Sequence, residues 1–130
     1  MSRKSKGCNA ERELIHLFWN NDWGAVRVAG SGSIGWPSPD VLASNRLRKL
    51  AIECKASRGK YKYLTKEEVS QLREFSSRFG AEPWIGVKFN NKGWFFLNPE
   101  DLKETQKHFV VDTCTAKSKG LSFEEVIKGF

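Results

Sequence analysis

The sequence predicts one α/β domain, a mixed β-sheet flanked by helices, and three observations carry that expectation. Apolar residues pass between helical spacing and strand alternation in the order αββ(β)αββ. Two segments, Thr65-Lys66-Glu67-Glu68 and Ser122-Phe123-Glu124-Glu125, have the form of capping boxes that open helices. Two pairs of strand-like runs are joined by turn-forming stretches, at Ser44-Asn45-Arg46 and Asn90-Asn91-Lys92-Gly93. A length of 130 residues suits a single core, and no repeat, linker or low-complexity tract divides it.

Taken in order, residues 1–8 read as a basic arm and residues 9–20 as a helix with Ala10, Leu14, Leu17 and Phe18 on one face. At about 100° per residue, Glu11 falls inside that apolar arc and Glu13 at its edge, so Glu11 is the better aimed at a sheet. Residues 25–29 form a short strand, and residues 30–38 a loop rich in glycine, serine and proline. A hairpin over residues 40–56 follows, then a basic loop over 57–62. The helix begun at Thr65 carries Val69, Leu72, Phe75, Ser76 and Phe79 and stops at Gly80. Residues 84–89 and 94–97 make a second hairpin, residues 108–111 add a strand, and Ser122 opens a last short helix.

Composition narrows the partners. A net charge of +7 and 12% aromatic residues, with a pI near 9.5, point to a polyanion, of which nucleic acid is the commonest. No extended apolar run or long basic amphipathic helix supports a membrane role, and the polar start lacks a signal peptide's apolar stretch. The three cysteines, Cys8, Cys54 and Cys114, match neither a zinc spacing nor a disulfide framework. Free thiols in a reducing, cytoplasmic setting are expected.

The chemistry concentrates in Pro39-Asp40 and, after twelve intervening residues, Glu53-Cys54-Lys55. Alternation over residues 49–56 turns Leu50, Ile52 and Cys54 to one side and Glu53 and Lys55 to the other. A hairpin brings Asp40 beside Glu53, so that two carboxylates converge on a hard divalent cation with an ammonium alongside. Such a cation lowers the pKa of bound water and offsets charge developing at phosphorus, which outlines phosphodiester hydrolysis. Asp40, Glu53 and the backbone carbonyl of Cys54 are the oxygen donors, and Mg²⁺ suits them, with Mn²⁺ a substitute. Lys55 orients the attacking water or stabilises the transition state. The plainer reading is that Asp40 is a turn residue after proline and that Glu53 and Lys55 form an ordinary ion pair. Apolar flanks and the inward Glu11 favour the functional one.

With Glu11, Asp40, Glu53 and Lys55 in this order, the chain resembles the PD-(D/E)xK nucleases, and more narrowly the archaeal-type Holliday junction resolvases. The resemblance spans nearly the whole chain. It is carried by Lys6-Gly7-Cys8-Asn9-Ala10-Glu11-Arg12-Glu13-Leu14, Val26-Arg27-Val28-Ala29-Gly30-Ser31, Pro39-Asp40, Ile52-Glu53-Cys54-Lys55, residues 75–80, and Val87-Lys88-Phe89 with Trp94. It implies a restriction-endonuclease-like fold, metal binding by Glu11, Asp40 and Glu53 beside Lys55, and a catalytic serine ahead of the aspartate. Ser31 is the best match for that serine, and Ser33 in the same loop is the alternative. It implies a homodimer that resolves four-way junctions in recombination and repair by paired nicks in opposing strands. Surplus apolar residues at 94–97, 109–111, Phe123, Ile127 and Phe130 serve either as the dimer surface or as plain core.

Lys4, Lys6, Arg12, Arg27, Ser33, Arg58, Lys60, Lys62 and Lys66 flank these elements and are the candidate DNA contacts. Trp36 is a candidate for stacking on unpaired bases. Two other activities fit the same residues. One is a related endonuclease acting on duplex, nicked or flapped DNA; the other is a basic DNA-binding module without catalysis.

Overall fold

The computed structural model describes residues 3–30 and 35–129, with side chains from Asn9 onward. Its first helix, α1 (Arg3–Trp19), starts earlier than the apolar pattern predicts and takes in most of the basic arm. Strands β1 (Gly24–Arg27), β2 (Val41–Ser44) and β3 (Lys49–Ser57) follow. Then come β4 (Tyr61–Thr65), α2 (Lys66–Phe79), β5 (Glu82–Phe89) and β6 (Gly93–Leu97). A 3₁₀ turn, Pro99–Asp101, leads to β7 (Lys103–Glu104), β8 (His108–Asp112), α3 (Thr113–Lys119) and α4 (Phe123–Lys128).

Five strands form the main sheet in the order β1-β2-β3-β5-β6. Among the described strands only β3 and β5 run parallel, and α2 lies on the crossover between them. The expected mixed sheet is therefore present, with β3 at its centre. The hairpin leading into β3 pairs Val41 with Ile52 and Ser44 with Lys49. Its loop is set by Asn45, whose Oδ1 accepts the backbone N–H groups of Leu47 (3.1 Å) and Arg48 (2.8 Å).

Each face of the sheet has its own core. Leu50 and Ile52 pack with Ala10, Leu14 and Phe18 of α1 and with Phe123 and Val126 of α4. On the other face Ala51, Ile85 and Val87 pack with Leu64, Val69, Leu72, Val111 and Ala116. Strand alternation divides the residues this way. Gly86 is required where side chains of the two flanking strands crowd β5: a Cβ there would meet Phe96 of β6 at 3.0 Å and Ile52 of β3 at 3.2 Å. Both capping boxes form as the sequence predicts, and Gly80 ends α2 at φ 76°.

Three elements depart from expectation. Part of the segment read as a basic loop is β4, in a second sheet of order β4-β8-β7. Its alternation is hidden because Lys62 occupies an inward position next to Leu64, while Tyr61 and Tyr63 face out. Helix α3 has too few residues for a periodic signal and is started by Asp112, whose carboxylate accepts the Thr115 N–H at 2.7 Å. Most of the surplus apolar residues are core: Trp94, Phe96, Leu97, Val110, Val111 and Phe123 are buried, Phe95, Phe109 and Ile127 are partly buried against the two cores, and Phe130 lies outside the described residues. The buried ones fill two cores where the sequence suggested one.

Phe18 is fully buried, with its ring 5.1 Å from that of Phe123 and 5.6 Å from that of Trp23. Phe18→Ala is expected to cost about 3–5 kcal/mol. Denaturant titration reads this as a lower midpoint at unchanged slope.

Candidate active site

Asp40 stands at the entrance to β2, held by the backbone on both sides. Its N–H donates to Ile52 O at 3.0 Å, and its C=O accepts from Val28 N–H at 2.9 Å. Pro39, which has no N–H to add to the ladder, is buried just before it. The Asp40 side chain turns towards β3, where Oδ2 accepts the Cys54 N–H at 2.8 Å. That bond brings the carboxylate to the level of Glu53.

Glu53 and Lys55 lie on the α2 face of β3, as alternation predicts, while Cys54 packs against the α1 core. Glu53 shares a side-chain hydrogen bond with Asp40 and has a pKa of about 9. Burial is the chief cause, followed by the negative charge of Asp40. The pair therefore holds a proton at neutral pH. Lys55 Nζ is 3.9 Å from Glu53 Oε2 and donates a hydrogen bond to Glu68 Oε2. Burial opposes its charge, but Glu68, Glu53 and Asp40 together outweigh burial and raise its pKa. The Cys54 thiol is pushed up, first by burial and then by Asp40, Glu11 and Glu53, so it remains protonated.

Glu11 sits on the α1 face, its carboxylate paired with Arg27 Nε at 2.8 Å and only 14% exposed. Glu13, at 45% exposure, bonds Lys88 and accepts from the Trp94 indole at 3.3 Å. The preference for Glu11 as the inward acid agrees with these positions. Glu11 acts electrostatically on the Cys54 thiol but does not close into a cluster with Asp40 and Glu53. Among the described residues, no three His, Cys, Asp or Glu side chains are gathered as a ready metal site. The donor chemistry nevertheless fits a hard cation. Two carboxylates forced together already share one positive charge, a proton, and oxygen donors of this kind are what such a cation takes.

Ser31 and Ser33 lie outside the described residues, as do the side chains of Lys4 and Lys6. Arg12, Arg58 and Lys60 are exposed. Lys66 is committed within the chain, bonding Glu104 at 2.5 Å and lying 4.7 Å over the Phe109 ring. Arg27 is likewise held by Glu11. Trp36, 78% exposed, lines a mostly apolar groove of about 240 Å³ with Pro37, Phe75 and Phe79, to which Glu74 and Arg78 add charge. Sequence reasoning missed Glu68 as a neighbour of Lys55. The capping box marks Glu68 as part of a helix start, and nothing in those four residues points to Lys55.

In metal-free protein, Glu53 lowers stability as pH rises. Its folded pKa is raised from 4.5 to about 9, so the folded state binds more protons than the unfolded state between those values. Wild type is expected to lose stability relative to Glu53→Gln across pH 5–9, by at most about 1.4 kcal/mol per pH unit. Denaturation series at several pH values measure the difference.

Comparison with known proteins matches residues 2–130 to the family described as archaeal Holliday junction resolvase (Hjc). The chain is 39% identical over 127 residues to the crossover junction endodeoxyribonuclease Hjc of Archaeoglobus fulgidus, covering 98% of this chain and 93% of that one. The Methanocaldococcus jannaschii protein of the same name is 34% identical over 122 residues, covering 94% and 86%. A solved structure of A. fulgidus Hjc superposes with a TM-score of 0.87 at 37% identity, covering 92% of this chain and 98% of that one.

Proposed function

This chain belongs to the archaeal Holliday junction resolvase family and is a nuclease by that membership, and from this premise we propose that it resolves four-way DNA junctions by metal-dependent paired nicks. The observation that carries the reading is the Asp40–Glu53 pair with Lys55 beside it on the central strand. Family membership implies a divalent metal, and Mg²⁺ is the ion proposed, with Mn²⁺ able to replace it. Asp40, Glu53 and the Cys54 carbonyl would hold it, with Glu11 nearby on the α1 face. When bound, such an ion supplies an acidified water and charge neutralisation at the scissile phosphate.

The chain's own residues supply the rest. The Cys54 N–H fixes the orientation of Asp40, and the proton shared by the two acids would have to leave for the pair to hold a cation. The Lys55 ammonium, charged throughout the neutral range, stabilises the extra negative charge on the non-bridging phosphate oxygens as water attacks. Ser31, or Ser33 in its place, is the proposed serine contributor.

Paired nicks on a two-fold junction call for two sites related by two-fold symmetry, so a homodimer is proposed. With the residues at 94–97 and 109–111 largely committed to core, the groove of Trp36, Pro37, Phe75 and half-exposed Phe79 is the best apolar patch for that contact. This also gives Trp36 a role other than base stacking. Arg12, Arg58 and Lys60 are the proposed phosphate contacts, joined by Lys4 and Lys6; Lys62, half-buried and inward on β4, would have to turn outward to join them. Lys66 and Arg27, already paired with acids, would have to exchange partners to contribute. No helix among the described residues is long and apolar enough to cross a membrane.

The test is cleavage of a labelled immobile junction and a matching linear duplex with Mg²⁺. Wild type is expected to nick opposing strands of the junction alone, and Asp40→Asn to bind without cutting. Equal cutting of both substrates would make it a general endonuclease; binding without cutting by wild type would leave a DNA-binding module. For the charged surface, Lys60→Ala is expected to weaken junction and duplex binding alike. It should reduce the salt slope of log K by roughly one unit, read from titrations at several salt concentrations.

A further inference from the structure

Glu68 opens α2, yet its two carboxylate oxygens have different partners. Oε1 accepts the backbone N–H of Thr65 at 2.8 Å, while the Thr65 hydroxyl accepts the Glu68 N–H at 2.9 Å. This reciprocal box fixes the side chain at the first turn of the helix. Oε2 is left facing the sheet, where it accepts from Lys55 Nζ. The same ammonium is 3.9 Å from Glu53 Oε2. Lys55 thus stands between two carboxylates and is bonded to the one outside the Asp40–Glu53 pair.

Glu53 and Asp40 are the other acids acting on this partly buried ammonium. Were Glu68 absent, they would be its remaining partners, and a buried charge does not stay unpaired when one is within reach. An ammonium drawn onto that pair would compete with any cation for the same oxygens.

We propose that Glu68 is a positioning residue for strand cleavage: anchored by the capping box, it holds Lys55 on the α2 side, beside the Asp40–Glu53 pair but off it, leaving the pair open to the divalent cation. The inference rests on the nuclease reading above and extends it to a residue in the first turn of α2. A device that starts a helix also sets the position of the lysine, so the two cannot shift independently.

Glu68→Gln separates the two roles, because glutamine serves equally at this position of a capping box but cannot pair with an ammonium as a carboxylate does. Wild type, Glu68→Gln, Lys55→Ala and the double variant are compared by three measurements. These are thermal unfolding, Mn²⁺ titration of the DNA-free protein by calorimetry, and single-turnover cleavage of a four-way junction.

Glu68→Gln is expected to unfold close to wild type, to bind Mn²⁺ about tenfold more weakly, and to cut more slowly, with saturating Mn²⁺ recovering part of the rate. In the Lys55→Ala background the same substitution is expected to leave Mn²⁺ affinity unchanged, since no ammonium remains to be held. The inference is overturned if Glu68→Gln matches wild type in both metal binding and cutting. Equal weakening of Mn²⁺ binding in both backgrounds also overturns it, because Glu68 would then act on the cation directly. A wild-type protein that neither binds Mn²⁺ nor cuts any DNA sinks the nuclease reading itself. One that does both, beside an indistinguishable Glu68→Gln, sinks this inference alone.

Discussion

The bond from the Cys54 N–H to the Asp40 carboxylate is the contact on which the site depends. At that level the β2 backbone no longer supplies a partner for β3, and the side chain of Asp40 takes the place of a carbonyl. A central strand cannot leave an amide unsatisfied without cost, so the fold itself demands an acceptor there. Using a carboxylate for it brings negative charge beside Glu53, one residue away along β3. Ladder completion and acid pairing are thus one interaction. Neutral substitution at Asp40 can preserve the first while removing the second, and so the two are separable in principle.

Much of this was legible because it follows from strand period. Alternation over residues 49–56 assigned Leu50, Ile52 and Cys54 to one face and Glu53 and Lys55 to the other, and the two cores divide in that way. The capping boxes at Thr65 and Ser122 were legible because they are local, needing only four residues each. What escaped depends on contacts between distant segments. Glu11 meets Arg27 because α1 crosses the α1-side face of β1, and Lys55 meets Glu68 because the crossover returns α2 above β3. Neither pairing has a signature within either segment. Strand β4 escaped for a different reason: its one charged inward residue, Lys62, breaks the apolar alternation a half-buried strand normally shows.

The basic excess is distributed unevenly once the pairs are taken into account. Arg48 makes a two-pronged contact with Glu82, donates to Val126 O, and lies 5.5 Å from the Trp23 ring, tying β5, α4 and the first core together. Lys88 joins β5 to α1 through Glu13, and Lys66 joins α2 to β7 through Glu104. These cations link elements of the fold. A net charge of +7 therefore cannot be read as a uniform DNA-binding surface; Arg12, Arg58 and Lys60 are exposed, and they are among the residues proposed to meet a phosphate backbone.

The site itself is a local disadvantage that the rest of the molecule tolerates. Burial penalises the charge on Glu53 and the neighbouring Asp40 adds to that penalty, which is why the pair retains a proton at neutral pH. Replacing that pair by apolar residues would extend the second core, where Ala51, Ile85 and Val87 already line the same face of the sheet. Lys55 lessens the repulsion, but bonded to Glu68 as well as lying near Glu53, it leaves the acids incompletely neutralised. A pair held short of neutrality, oriented by a backbone amide and carried on the central strand, would suit the divalent cation proposed for it better than a satisfied ion pair would.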